Sequence, residues 1–318
     1  MLGMRKKRWR RSKLESVSKT LQAHIVLFVV GAFYAVNYIV AKDIMPTYIG
    51  PSGFIFYRVF GATILFWLVH RFISKEKIQR EDYPRFIQSA LFGVAMNQLF
   101  FFNGLNLTTP INASVIMTSN PILVLLDSAL ILKESITKWK SIGVGLGVIG
   151  ALMLIVLPVV LGSGFVDWSE GDSLGDLMIF INALSYGLYL ISVKPLMAKY
   201  EAMTVIKWVF TFGCVMVFPF GYDQALAVDW ANMPIDIMLG VAFVIICVTF
   251  LVYFLNAVAL KTVSPSVVST YIYLQPVMAG ALSVGLGMES IHWIQVLAAG
   301  FIFTGVYLVS IRKKRPSE

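Results

Sequence analysis

Charge is what this chain has least of. Only 14% of its 318 residues are Asp, Glu, Lys or Arg, where a soluble domain spends about a quarter on charge, and a surface that poor in charge cannot be wetted. Histidine occurs three times and cysteine twice. His24, His70 and His292 stand near the ends of apolar stretches, too scattered to read as a metal site. Cys214 and Cys247 fall inside apolar stretches, where packing is a commoner role than a disulfide. The sequence has no Walker-type glycine loop followed by Lys-Ser/Thr, which argues against a pump driven by nucleotide in this chain. It has no visible cluster of nucleophile, histidine and acid, which argues against an enzyme. No cofactor is expected. The longest connections, 71–85 and 158–173, are too short to build a soluble core.

What is abundant is apolar residue, 58% of the chain. It is bunched into stretches of roughly 18 to 24 residues, the length that carries a helix across ~30 Å of hydrocarbon. Ten stretches are read, at about 22–41, 51–70, 86–107, 112–132, 141–160, 174–193, 203–221, 236–258, 265–287 and 291–311. The fold class expected is therefore an all-α integral membrane protein of ten transmembrane helices. The first stretch lacks a small-residue cleavage site and is needed to make the count even, so it reads as a retained span and not a signal peptide.

The formal net charge of +9 matters less than where it sits. Of the 26 Lys and Arg, 24 lie in alternate connections and the two ends of the chain, including the arm RKKRWRR and the tail RKKR. The other connections hold Lys42 alone, and Arg58 lies inside the second stretch. By the positive-inside rule both termini face the cytoplasm of a cell membrane. The basic arm is a topology signal aided by anionic lipid, and nucleic acid is not an expected partner. Acidic Asp167, Glu170, Asp172, Asp223 and Asp229 gather on the opposite side, a weaker signal that agrees.

The sequence also repeats itself. A shift of 155 residues lays Pro121 on Pro276, Glu134 on Glu289, Ser135 on Ser290, Ile136 on Ile291, Gly145 on Gly300 and Gly150 on Gly305. Slightly smaller shifts pair Tyr34 with Tyr186, Lys42 with Lys194, Arg58 with Lys207, Asn103 with Asn256 and Leu107 with Leu260. Two repeats follow, 22–157 and 174–311, flanked by a basic arm at 1–21 and a basic tail at 312–318. Each holds five spans, an odd number, so the second enters the membrane facing the other way. Inverted repeats are a recurrent carrier design, because one fold read in both orientations can open to either side at similar energy. Channels and inert helical bulk share that symmetry, and both stay open at this point.

The residues at the end of each repeat look familiar. NPILVLLDSALILKESITKWKSIGVGLGVIGALMLI resembles the signature end of an EamA domain, and QPVMAGALSVGLGMESIHWIQVLAAGFIFTGVYLVS resembles its second copy. YAVNYIVAK, FYRVFGATILF and LNLTTPINASVI fit the same pattern. The resemblance covers nearly the whole chain and implies the drug/metabolite transporter superfamily: two five-helix domains around a central cavity lined by spans 1, 3, 4, 6, 8 and 9. It implies a small-molecule solute such as an amino acid, a nucleoside or a drug-like compound, without choosing among them. Members often carry Trp where this chain has Tyr34 and Tyr186, which adds hydroxyls to the cavity.

Polar side chains within spans point inward more often than outward. The pathway candidates are Tyr34, Asn37, Tyr38, Asn97, Asn103, Asn120, Asp127, Asn182, Tyr186, Tyr189, Tyr273 and Gln275; Gln98, Thr118, Tyr253, Asn256 and Tyr271 are further polar residues in the same spans. For any one of them, hydrogen bonding between helices is an equally good account. Asp127 is the one acid well inside a span. It either faces the pathway and takes up a coupling proton or a cationic group, or pairs with Arg58 or a backbone donor. Arg58 and Lys207 are expected to serve structure, closing ion pairs or reaching to headgroups. Pro121 and Pro276 are hinge candidates, since each removes a helical hydrogen bond. Glu134 and Glu289 are assigned to architecture. The topology is checked by fusing a split reporter to either end of the chain: both fusions should complement in the cytoplasm, and complementation of only one would break the inverted symmetry.

Overall fold

The computed structural model describes residues 2–108, 113–114, 116–117, 120, 123–124, 138–160, 170–263, 267–268, 271–286 and 293–310. Asp127, Pro121, Thr118, Glu134 and Glu289 lie outside them. Among the described residues every regular element is helical, as a backbone in hydrocarbon requires when it must satisfy its own N–H and C=O groups.

The helices are α1 (Leu2–Ile44), α2 (Pro51–Ile73), α3 (Tyr83–Ala90), α4 (Asn97–Leu107), α5 (Lys138–Val160), α6 (Glu170–Lys199), α7 (Ala202–Leu226), α8 (Ile235–Phe243), α9 (Val252–Leu260), α10 (Leu274–Gly285) and α11 (Trp293–Ser310). Among the described residues five segments are long and apolar enough to cross a membrane: Leu21–Ile44, Pro51–Ile73, Leu174–Lys199, Ala202–Leu226 and Ile235–Leu260. Helix α1 continues from the basic arm straight into the first span and ends later than the apolar pattern suggested. The reason is Lys42 in its last turn, whose ammonium donates to the carbonyls of Leu105, Asn106 and Thr108 at 3.0, 3.1 and 2.9 Å and so caps the end of α4.

Two stretches of π-helix join α3 to α4 (Leu91–Met96) and α8 to α9 (Val244–Leu251). They stand at matching places in the two repeats, since the shift that lays Asn103 on Asn256 also lays Leu91 on Val244. A π turn holds one residue more than an α turn and is found at functional positions.

The packing repeats as well. Helix α2 lies on its counterpart α7, and α5 on its counterpart α11; α4 meets α6 as α9 meets α1; α7 meets the first π stretch as α2 meets the second. The α2–α7 pair runs antiparallel. The Gly53 N–H donates to Gln224 Oε1 at 3.1 Å at one end, Thr63 donates to the Phe210 carbonyl at 3.3 Å in the middle, and His70 meets Thr204 Oγ1 at 3.2 Å at the other. Counterpart helices that run in opposite directions make the repeats inverted.

With lipid outside, apolar residues gain little by leaving the surface, and Phe72, Val215, Leu226 and Phe220 stand 85, 70, 69 and 63% exposed. Close contact between helices then rests on van der Waals packing and small residues. Gly104 of α4 and Gly175 of α6 bring two backbones together: a Cβ on the first would sit 2.9 Å from the Gly175 carbonyl oxygen, and one on the second 2.8 Å from the Gly104 carbonyl oxygen. At the end of the bundle that bears the basic loops, Lys199 donates to Asp82 at 2.6 Å and Tyr200 donates to the same carboxylate, tying α6 to the loop before α3. The Lys199 ammonium and then the Tyr200 hydroxyl hold the Asp82 carboxyl below the usual carboxylate range. Gly104→Val and Gly175→Val should each lower stability by about 1–3 kcal/mol through overpacking, read as a drop of several degrees in the temperature at which heated protein leaves the monodisperse peak on size exclusion.

Candidate functional site

A cavity of about 50 Å³ lies between the two repeats. Its wall is built from Tyr34, Asn37 and Tyr38 of α1, Arg58 of α2, Asn97, Gln98, Phe101 and Phe102 of α4, Asn182 and Tyr186 of α6, and Tyr253 of α9, together with Met117, Ile272 and Gln275. That space admits a few waters and no organic solute, given that an occupied ligand site runs to several hundred Å³. The cavity draws on both repeats, and the counterparts Tyr34 and Tyr186 both face it.

The first π stretch sets the hydrogen-bond pattern of this wall. Tyr253 is buried and reaches across from α9, with its hydroxyl 3.0 Å from the Gly93 carbonyl and 3.3 Å from Asn97 Oδ1, while Gln98 Nε2 donates to that hydroxyl at 2.6 Å. Asn182 donates to the Asn97 carbonyl at 2.6 Å, joining α6 to the start of α4. Tyr38 donates to Gln275 Oε1 at 3.1 Å, joining α1 to α10. Several polar atoms stay without a partner while buried: Asn37 Oδ1, Gln98 Oε1, Asn182 Oδ1 and Arg58 Nη1. Buried polar atoms are nearly always partnered, and these four stand on the wall of a cavity with room for water or for polar groups of a ligand.

Seven of the twelve pathway candidates line this cavity: Tyr34, Asn37, Tyr38, Asn97, Asn182, Tyr186 and Gln275. The structure puts others elsewhere. Asn103 turns to Ser52 and to the Leu99 carbonyl, the latter at 2.9 Å. Tyr189 lays its ring on the bare backbone of Gly93, where any Cβ would collide with it. Asn120 is fully buried with both side-chain polar atoms unpartnered, and is not part of the wall. The backbone of Tyr273 closes a 3₁₀ turn, Tyr271–Tyr273. Pro276 follows in the first turn of α10, where a missing N–H costs little. Pro195 and Pro219, inside α6 and α7, interrupt helices more deeply.

Arg58 and Lys207, paired by the repeat, part ways. Arg58 faces the cavity. Lys207 lies 3.3 Å from His70 Nδ1 and 4.3 Å over the Trp67 ring, in a wide cleft at the basic-loop end that includes Arg71, Lys75, Glu76 and Lys77. Neither forms an ion pair within 4.0 Å among the described residues. Gln98 and Tyr253 were legible as polar residues in the right spans, whereas Phe101, Phe102, Met117 and Ile272 carry no polar signal to mark them in an apolar sequence.

Residues 21–156 and 173–311 each match the EamA-like transporter family. The chain belongs to that family. Among its curated relatives is the "Uncharacterized transporter YyaM" of Bacillus subtilis (strain 168), 26% identical over 297 residues that make up 92% of this chain and 94% of the relative. "WAT1-related protein At3g53210" of Arabidopsis thaliana is 21% identical over 327 residues, 94% of this chain and 88% of the relative. A solved crystal structure superposes with a TM-score of 0.70 at 15% identity, covering 91% of this chain and 98% of that one, a likeness of fold. This EamA-like transporter is thus a multi-pass membrane protein whose curated relatives include proteins named as transporters. Within it, Tyr253→Phe should strand the Gln98 amide and the Gly93 carbonyl at a cost of about 1–3 kcal/mol. A lowered thermal midpoint with loss of solute exchange is expected, whereas Asn103→Ala should leave exchange as it was.

Proposed function

We propose that the chain is a secondary-active carrier that moves a small organic metabolite across the cell membrane by alternating access, chiefly outward, with both termini in the cytoplasm. The observation that carries this reading is the cavity at the seam of two inverted repeats, walled by amides and tyrosines from both and too small for a solute as it stands. A site of that kind works only if its walls part. Two repeats whose contacts exchange under the internal symmetry can part on either side. The unpartnered amides of the wall suit a solute with polar groups, and the aromatic rings suit one with an apolar body.

The energy source in this reading is a solute or proton gradient, with Asp127 as the residue for the proton. An integral-membrane enzyme would need nucleophile, acid and histidine gathered at one face, a cluster the sequence does not display. Purified protein in liposomes should show saturable counterflow with an amino-acid and nucleoside panel under an imposed pH gradient, with Asp127→Asn flattening the pH dependence. Flux that rises linearly with concentration and shows no counterflow would point to a channel, and no flux at all to a scaffold.

A further inference from the structure

Arg58 is the only basic side chain among the described residues that wall the cavity, and no acidic one joins it there. It is 2% exposed, among the most deeply buried large side chains of the molecule. Its Nε donates to Thr249 Oγ1 at 3.0 Å, and the Thr249 hydroxyl in turn donates to the Val244 carbonyl at 2.8 Å within the second π stretch. The guanidinium carbon stands 4.1 Å over the Phe102 ring. These contacts fix the plane of the guanidinium and use one of its five N–H groups. Nη1 is buried without a hydrogen-bond partner.

A side chain needed only to tether α2 to the π stretch could do so with a neutral donor, and would spare the helix a desolvated charge. Arginine costs the most of the available donors, and it presents a rigid fork matched to a carboxylate. An intramembrane cation that has no partner of opposite charge among the described residues is a candidate site by default. Its repeat counterpart Lys207, 4% exposed, lies in a different cleft, one that the acidic Glu76 also lines. Around Arg58 the amide oxygens of Asn37, Gln98 and Asn182 lack donors, so the wall offers one cation and several acceptors.

From this arrangement we infer that Arg58 receives the carboxylate of the transported solute, which is therefore a small organic acid or amino acid whose apolar body lies against Phe101 and Phe102 and whose N–H groups meet the amide oxygens. The inference rests on the carrier reading above and narrows its solute to one class.

The test uses matched pairs that differ only in the charge of one group: hippurate against hippuramide, and phenylalanine against phenylalaninamide. Binding is read as a thermal shift of the full chain in nanodiscs, and transport as counterflow in liposomes. Each carboxylate should bind roughly 10–100-fold more tightly than its amide, the range a charge-assisted hydrogen-bonded pair supplies, and should exchange where the amide does not. Arg58→Gln should remove the preference, leaving both members equally weak, while Arg58→Lys should keep it in reduced form. Amides that bind and exchange as well as carboxylates in the wild-type protein would overturn the inference, and that comparison needs no variant to fold. So would an Arg58→Gln protein that keeps the preference. If neutral or cationic solutes exchange and carboxylates do not, the assignment of Arg58 fails and the carrier stands; if nothing in the wider panel exchanges, the carrier reading itself fails.

Discussion

Helix α2 lies antiparallel on its own counterpart α7, so residues near Gly53 meet Gln224 while residues near His70 meet Thr204. The other features depend on that pairing. An axis that exchanges the two helices must lie in the plane of the membrane, and it carries α5 onto α11 and the first π stretch onto the second. The space left near the axis is the one place both repeats can wall, which is why the cavity forms there and why Tyr34 and Tyr186 both reach it.

Polar side chains inside the bundle follow from the same geometry. In hydrocarbon each must find a partner, and most do so across helices: Asn182 on the Asn97 carbonyl, Gln98 on Tyr253, Tyr38 on Gln275. These bonds are individually modest, but they are made between helices from different repeats or from opposite walls of the cavity. A change in the cavity therefore reaches both repeats. The symmetry is not perfect. Arg58 and Lys207 occupy matching places in sequence, but α2 begins seven residues before Arg58 and α7 five before Lys207. With different side chains opposite each, Arg58 faces the central cavity and Lys207 lies in the cleft at the basic-loop end.

How much of this could be read in the chain follows from which physics acts locally. Span positions rest on apolar length, and the repeat on six identities at one offset, so five of the ten spans and the two family domains were legible. Seven of the twelve pathway candidates reach the cavity because a tyrosine or amide in hydrocarbon has few places to go. Asn103 follows Asn97 by six residues on one regular α-helix, about 240° round from it, and so turns to Ser52 while Asn97 faces the cavity. Tyr189 was drawn away by the bare backbone at Gly93, a contact set by tertiary fit. Arg58 was read as structural, and it does tether α2 to Thr249; its place on the cavity wall is set by tertiary packing that sequence alone does not show.

Lys42 offers a last consequence. One ammonium holds three carbonyls at the end of α4, and pulling it away would strand a charge and reopen a helix terminus together. On that face of the bundle, α1 and α4 are stapled into a single lever. In the carrier proposed above, a swing that admits solute from that side would carry both helices as one piece, with the looser joints left to bend.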